Sequence, residues 1–575
     1  MLRTVLEKKG SLQIQLLRRH WAWIFVGLAV LFAAGVRLRL RELPLERDEG
    51  EYAYAGQLIL QGVAPYKEVY NMKLPGTYAA YAVIMAIFGQ TPSGIHLGVT
   101  LVNAASIVLI YLIGRKLLDD VAGVTAAIFY ALLSCSQSVL GLAGHATHFV
   151  VLPALAGILV LMRACATRKR HFYLLSGLLF GLAFLMKQHG IFFGIFGGIV
   201  VICTRLTEPF DDANAEKTLR ASKRVRWGQK RKRPWVKWGS LCSEAGIFFA
   251  GFAFPYLITC LCLFAAGAFH QFLFWTVSYA RSYASGSSVF LGSEFLRRKL
   301  LEVAGPNFML WILPWIGAIL IWWESRLRIN ERILLTAMLI CSLGSVLIGL
   351  YLRPHYFVTL LPIAALLTGV SVSRSLHLMR HEQSFELFLA FPILALFAFG
   401  CLSTLIGNGP PWFEFSQQEA IQNSYGSTLF LEAPKIAEAI RANTPPQARI
   451  AVIGSEPEIY FYSHRRSATG YIYMYPLMEA HSYALNMQKE LIAEIERNPP
   501  QYVVHVEDKS SWLGEPGSHT AIIDWWDSYR ATRLELVEIR NIEQPNEATA
   551  TASPSEAELA RPKMPPRVLT YKQRH

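Results

Sequence analysis

Long uncharged apolar stretches recur along the chain, and they restrict its fold more than any other feature. A helix needs about 20 apolar residues to cross a ~30 Å hydrocarbon core. In lipid the backbone must satisfy its own hydrogen bonds, which leaves helices as the solution for stretches of this length. Eleven spans are read, at roughly 21–40, 95–114, 121–140, 147–163, 172–186, 190–204, 243–266, 308–323, 333–351, 356–372 and 385–407. With 53% hydrophobic and 17% charged residues among 575, a soluble domain of this size is excluded.

The net charge of +14 is placed in a way that argues against nucleic acid. With segment 1–20 inside, Arg18 and Arg19, Arg115 and Lys116, Arg168 and Arg170, the block KRVRWGQKRKRPWVK at 223–237, and Arg326 and Arg328 all fall on one side. That matches the excess of Lys and Arg on cytoplasmic loops. The block in the 205–241 loop therefore reads as a topology anchor, although taken alone it also suits RNA or anionic lipid. GTYAAYAVIMAIFG (76–89) is too short for an ordinary span, and if it crossed, the basic block would face outward. It is read as an interfacial or re-entrant helix within a long outer loop, 41–94, that carries two surface helices.

The first apolar block ends in RLRLRELP without a small-residue cleavage site and reads as a retained anchor. The eight cysteines lie in or beside spans, none beyond Cys401, so no disulfide framework is expected outside the membrane. Composition changes at GNGPPWFEFSQQ (407–418). The expected fold is a polytopic α-helical domain over 21–407 followed by an extracytoplasmic α/β domain over 408–542. Its elements are a strand and helix in ARIAVIGSEPEIYFYSHRR, with Ser455 and Glu458 at capping-box spacing, a helix at 478–497, the strand QYVVHVE, a helix near 519–529 and a strand near 533–540. Gly454 sits at a strand-to-helix turn, but no GxGxxG or Walker pattern accompanies it. Residues 543–575, polar and proline-rich, are expected to form a disordered tail.

Two classes of function compete. A transporter or flippase of lipid-linked sugar carries ionisable groups partway through the bilayer. The span interiors here hold almost none; the charged and histidine residues gather at outer ends instead: Asp48, Glu49, Lys73, His145, His148, Lys187, His189, Arg281, Arg353 and His355. That profile suits an enzyme working at the outer face. A carboxylate can accept the proton of an attacking hydroxyl, cations can stabilise a phosphate leaving group, and tyrosines such as Tyr52 and Tyr70 can stack on a sugar. Simpler readings exist. Asp48 with Glu51 three residues on has capping-box-like spacing and could merely cap a helix, and Lys73 or Arg281 could snorkel to headgroups. His145 and His148 have no nearby third ligand for zinc.

RDEGEYAYAGQLIL followed by NMKLPG, with weaker support from LMKQHG (185–190) and RPHYFVTLLP (353–362), resembles the GT-C polytopic glycosyltransferases. The likeness is specifically to glycosyltransferase family 39, which includes protein O-mannosyltransferases and lipid A aminoarabinose transferases. It covers roughly 20–500 and implies inverting transfer of a sugar from a polyprenyl-phosphate donor to a lipid, glycan or protein acceptor at the outer face of the plasma (bacterial inner) membrane. By the same resemblance Asp48 is the catalytic base and Glu49 its companion. Lys73, Arg353, Tyr356 and, more loosely, Arg281 meet the donor phosphate. Tyr52, Tyr70, His145, His148, Lys187 and His355 are the expected substrate-binding side chains. The chain departs from the family's pattern at Met72, often acidic in relatives, and in GHATHFVVLP, where a second acidic residue is missing. No metal and no cofactor are expected, fixed cations taking the place of a divalent ion. The charge sorting predicts that, in a cysteine-free background, a cysteine at Gln447 reacts with an impermeant thiol reagent added to intact cells while one at Lys230 does not; labelling at 230 would overturn this topology.

Overall fold

The computed structural model describes residues 2–207, 238–286, 293–348, 351–381, 384–542 and 566–574. The basic block at 223–237 lies outside them. Among the described residues nine helices are long and apolar enough to cross a membrane: His20–Arg39, Pro92–Leu117, Ala146–Thr167, Gln188–Leu206, Trp238–Ala265, Phe295–Leu320, Ile329–Leu347, Leu361–Arg380 and Ala390–Glu414. Each coincides with one of the spans read from sequence. The other two of those spans correspond to shorter helices, Asp120–Leu133 with 14 residues and Arg170–Met186 with 17. The first stops early because SCSQS follows. Its hydroxyls compete for backbone groups, Ser136 accepts from the Ser138 amide, and Leu140 turns the chain with a φ of 49°. The buried Arg37 fixes this turn, its guanidinium donating to the carbonyls of Ser134 (3.0 Å) and Gly141 (2.6 Å).

Between the first two long spans lie the two expected outer helices, Arg47–Leu60 and Gly76–Phe88. The sequence left open whether Asp48 caps the first. The cap is Glu46: its carboxylate accepts from the Glu49 amide at 2.9 Å and Glu49 returns a bond to the Glu46 amide at 3.3 Å. Asp48 sits inside the first turn with its carboxylate free of capping.

The C-terminal region folds as an α/β unit around a sheet of five strands, β1 Arg449–Ile453, β2 Arg466–Ser467, β3 Tyr502–Glu507, β4 Leu534–Asn541 and β5 Arg567–Gln573, in the order β2-β1-β3-β5-β4. β1 pairs in parallel with β2 and β3, whereas β5 lies antiparallel between β3 and β4, with Val503 opposite Tyr571. This corrects the expected tail. Residues 543–565 lie outside the described residues, but RVLTYKQ is a strand with Val568, Leu569 and Tyr571 buried. The proline-rich run before it dominates the composition, while the V-L-T-Y stretch has the β-branched and aromatic character of a strand. The capping box at Ser455 and Glu458 is also absent. Ser455 Oγ instead donates to Ser511 O at 2.5 Å and accepts from the Met474 amide, and Glu458 is buried. The helices Ala484–Arg497 and Ala521–Arg533 flank the sheet close to where they were expected.

Two of the three apolar clusters join this domain to the outer loop. One combines Leu45, Tyr52, Tyr54 and Tyr78 with Ile436, Ile450, Ile459 and Tyr460; the other combines Tyr66 and Leu74 with Trp275, Tyr471, Met474 and Leu491. Gly50 permits a close approach, since a Cβ there would lie 2.6 Å from the Glu458 backbone nitrogen and Cβ. The 47–60 helix is thus held between membrane helices and the C-terminal domain.

Candidate active site

Helical geometry decides which acidic residues of RDEGEY act together. Successive side chains turn by about 100°, so residues three apart share a face while neighbours do not. Asp48 and Glu51 point one way, and Lys73 reaches them from the loop before the 76–88 helix. Its Nζ donates to Asp48 Oδ1 at 2.7 Å and to Glu51 Oε2 at 2.6 Å. Tyr66, itself at a positive φ of 67°, donates to the Lys73 carbonyl at 2.6 Å and so fixes the backbone that presents the ammonium. The Tyr52 ring lies 4.6 Å and the Tyr473 ring 5.7 Å from Nζ. Tyr78 donates to the other oxygen of Glu51.

Glu49 faces the other way. It accepts from the Gly144 amide at 2.5 Å and lies 3.1 Å from His96 Nε2, whose ring also bonds Arg41 O. This side chain closes the helix start and holds the 143–145 backbone, and its companionship with Asp48 is positional. The Gly144 contact delivers His145, whose Nδ1 is 3.6 Å from Glu46 Oε1 and 3.8 Å from Asp48 Oδ2. His145 stacks on His355 with ring centroids 4.2 Å apart.

A cavity of about 360 Å³ opens on Asp48 and is lined by Glu46, Arg47, His145, Arg353 and His355 from the membrane side and by Tyr425, Phe430, Tyr475 and Ser510 from residues beyond the last span. Arg47 ties the two sides together through Glu456 at 2.9 Å, while Tyr473 donates to the Arg47 carbonyl. Beside this cavity Lys187 Nζ lies 4.3 Å over the Tyr356 ring, and His189 packs on the same ring at 4.4 Å. Arg353 is exposed and 5.8 Å over Tyr351.

Three expected residues fall elsewhere. Tyr70 donates to Glu494 and stacks on Trp275, so it belongs to the contact with the C-terminal domain. His148 is buried one helical turn beyond His145, with neither ring nitrogen partnered among the described residues. Arg281 is exposed and has no hydrogen bond or ion pair among them. Sequence reasoning missed Glu46 and Glu51 as members of the cluster; Glu51 was legible, because its three-residue spacing from Asp48 puts both carboxylates on one face.

The electrostatics differ sharply over a few ångströms. Burial raises the Asp48 carboxyl, but the Lys73 ammonium and the two imidazoles outweigh it and hold it well below the usual carboxylate range. Burial, with the Asp48 charge alongside, pushes Glu46 up to about 7. Burial also raises Glu51 despite Lys73. Asp48, His145 and His355 place ligand-capable atoms within 4.8 Å of one another, a donor set suited to a transition metal, although Asp48 Oδ1 already serves Lys73.

A family model described as dolichyl-phosphate-mannose-protein mannosyltransferase matches residues 73–210. No curated protein matches by sequence. The oligosaccharyltransferase AglB of Archaeoglobus fulgidus, solved with an inhibitory peptide and a dolichol-phosphate, is 13% identical with a TM-score of 0.51, over 86% of this chain and 70% of that one. ArnT from Cupriavidus metallidurans bound to undecaprenyl phosphate is 15% identical with a TM-score of 0.51, over 96% of this chain and 98% of that one. The chain has the GT-C fold. The superposition extends past the membrane helices, since the ArnT match takes in nearly the whole of both chains.

Lys187 supplies a test of the electrostatics. It lies between the 170–186 and 188–206 helices, and burial pushes its ammonium down to about 7, with Lys73 and Arg353 opposing the help of Asp48 and Glu46. An unfolded lysine keeps its proton to about pH 10.4. Between about pH 7 and 10 the unfolded chain therefore binds a proton that the folded chain does not, and this site's contribution to stability rises with pH across that window. Lys187→Met should flatten the rise in thermal unfolding temperature between pH 7 and 9 relative to wild type. Equal slopes would show that the lysine is charged when buried.

Proposed function

We propose that this protein transfers a sugar from a polyprenyl-phosphate donor to an acceptor hydroxyl, with inversion, at the outer face of a plasma or bacterial inner membrane, with the C-terminal domain on the same side. The observation that carries the reading is a charged carboxylate, Asp48, facing a cavity also lined by Arg353, which has no carboxylate partner among the described residues. The likeness to proteins solved with dolichol-phosphate and undecaprenyl phosphate supports the lipid carrier.

In this mechanism the acceptor oxygen attacks the anomeric carbon while the bond from that carbon to the phosphate oxygen breaks. The acceptor proton passes to Asp48 and the carrier leaves as its phosphate. Lys73, with the imidazoles of His145 and His355, holds Asp48 ionised, and Glu51 anchors the Lys73 ammonium from behind. A carboxylate so strongly held is a weak base, which suits glycosyl transfer, where bond breaking to an oxocarbenium-like centre leads and the proton departs late. Glu46, pushed up to about 7, shares the neighbourhood of His145 Nδ1 with Asp48, at 3.6 and 3.8 Å, and takes the proton onward. Tyr475, Phe430 and Tyr425 offer aromatic faces to a sugar ring or an acceptor chain. The C-terminal domain roofs the site and contributes to acceptor choice.

Asp48→Asn removes the base while changing little shape. Transfer should fall by about 100-fold or more, while the protein still folds, because Glu51 remains to pair with Lys73. Wild-type transfer by Asp48→Asn would remove the assignment. A wild-type protein that moves the lipid-linked sugar across a bilayer without transferring it is instead a transporter.

The spacing of Asp48, His145 and His355 favours a second reading, with a divalent ion polarising the reacting groups. Enzyme treated with a chelator should keep most of its rate if the fixed cations suffice. Loss of activity restored by zinc would assign those three residues as ligands.

A further inference from the structure

We propose that Leu140 limits how crowded the carbon bearing the acceptor hydroxyl can be, and so selects an unhindered, primary hydroxyl. This rests on the glycosyl-transfer reading and names the acceptor class within it.

A leucine is seldom held in the left-handed region, where its Cβ crowds the backbone. Leu140 has a φ of 49° and a ψ of 39°, and the chain around it is tied down from several sides. The buried Arg37 guanidinium donates to the carbonyls of Ser134, Gly141 and Leu142. Ser136 Oγ donates to Asn408 Oδ1 and accepts from Asn307 Nδ2, both at 3.1 Å. Trp412 Nε1 donates to the Cys135 carbonyl at 2.8 Å, and Gln137 donates to Ser424 Oγ at 3.2 Å. The neighbouring glycine is already committed, since a Cβ at Gly141 would lie 2.2 Å from the Ser134 oxygen. The left-handed position therefore falls to residue 140. Glycine or asparagine would fill it at less cost, yet the chain places a leucine there.

Packing does not offset this strain. Val139 and Leu142 belong to the apolar cluster of the membrane domain, whereas Leu140 is in none of the three clusters. Its half-buried side chain lines the cavity that opens on Asp48, together with His145 from the same loop. Leu352, at a φ of 46°, immediately precedes Arg353 on the same cavity. Strain held by an over-determined surround beside a reacting group is how sites, rather than cores, use the backbone.

An isobutyl group offers no acid, no base and no hydrogen bond, so it acts on a substrate through volume alone. The group beside Asp48 is the acceptor, because its proton passes to that carboxylate. The space that Leu140 occupies is therefore taken from the acceptor. In a fitted pocket one methylene more or less changes the rate by about 10- to 200-fold, and each branch at the carbon bearing the hydroxyl adds at least one carbon. A primary hydroxyl on an extended arm fits such a space, and a secondary hydroxyl flanked on both sides does not.

The test uses full-length protein in nanodiscs, with lipid-linked sugars extracted from its native membrane as donor. Ethanol and propan-2-ol serve as acceptors, and mass spectrometry reads the alkyl glycosides and free sugar. Wild type should prefer ethanol. In Leu140→Gly the ratio of ethyl to isopropyl glycoside should fall by about 10-fold or more, whereas Leu140→Met, which keeps the volume, should stay within a few-fold of the wild-type ratio. Comparing ratios cancels the intrinsic difference between the alcohols. Leu140→Gly should unfold within a few degrees of wild type, because glycine adopts the left-handed conformation without strain. An unchanged ratio in Leu140→Gly would overturn the assignment, and so would a large drop in its unfolding temperature, which would make the leucine a packing residue. Wild-type protein that releases neither glycoside nor free sugar would instead overturn the glycosyl-transfer reading.

Discussion

A buried ammonium between two carboxylates organises this molecule. Lys73 lies on a loop with little regular structure, and Asp48 and Glu51 lie on a short helix, so the pairing forms only when loop and helix fold onto each other. Removing one member of such a group strands a charge where water is scarce, typically at a cost of about 3–5 kcal/mol. The Tyr66 bond to the Lys73 carbonyl, the Tyr78 bond to Glu51 and the aromatic rings over the ammonium all serve this one arrangement. Because the same helix is covered by the C-terminal domain through Gly50, Tyr54 and Arg47, Asp48 is aligned by both halves of the chain at once.

The cluster also divides labour among residues that look alike in sequence. Glu46, Asp48, Glu49 and Glu51 occupy little more than one helical turn yet meet four environments: a cap, an ion pair facing a cavity, an internal strut to Gly144, and a fully buried counter-ion. Lys73 and Lys187 differ in the same manner, one ion-paired with two carboxylates and the other without a hydrogen bond or ion pair among the described residues. Carboxylates pushed apart in proton affinity within a few ångströms are what an acid–base site requires, and here burial and the direction of each side chain do the separating.

Much of this was legible from sequence because membrane helices obey a length rule that a linear reading applies directly. Nine long spans, the two outer helices and most strands of the C-terminal domain follow from it and from ordinary periodicity. The start of Asp120–Leu133 was legible and its end was not, since the serines that stop it sit in an apolar context. Strand β5 was hidden by the proline-rich run before it. At the site, residue types at outer helix ends pointed to Asp48, Lys73, His145, Lys187, Arg353 and His355, and the family resemblance to Tyr356; of these, Asp48, His145, Arg353 and His355 line one cavity, with Lys73 bonded to Asp48 and Lys187 over the Tyr356 ring. Tyr70 and His148 turn elsewhere because chain proximity says nothing about which way a side chain points; Glu49 is the companion the resemblance implies, whereas helical phase puts Glu51 on the face of Asp48.

The place of β5 has a consequence for when the protein becomes complete. The strand lies between β3 and β4, which precede it in the chain, so that part of the sheet cannot close until residues 567–573 have been made and have reached the side where the domain folds. Tyr473 and Tyr475 belong to the domain built on that sheet. The membrane helices can insert and pack long before this, but the roof over Asp48 and Lys73 is finished only by the last strand in the sheet. A chain interrupted before that strand would sit in the membrane with its spans in place and the cavity at Asp48 unroofed, open to water.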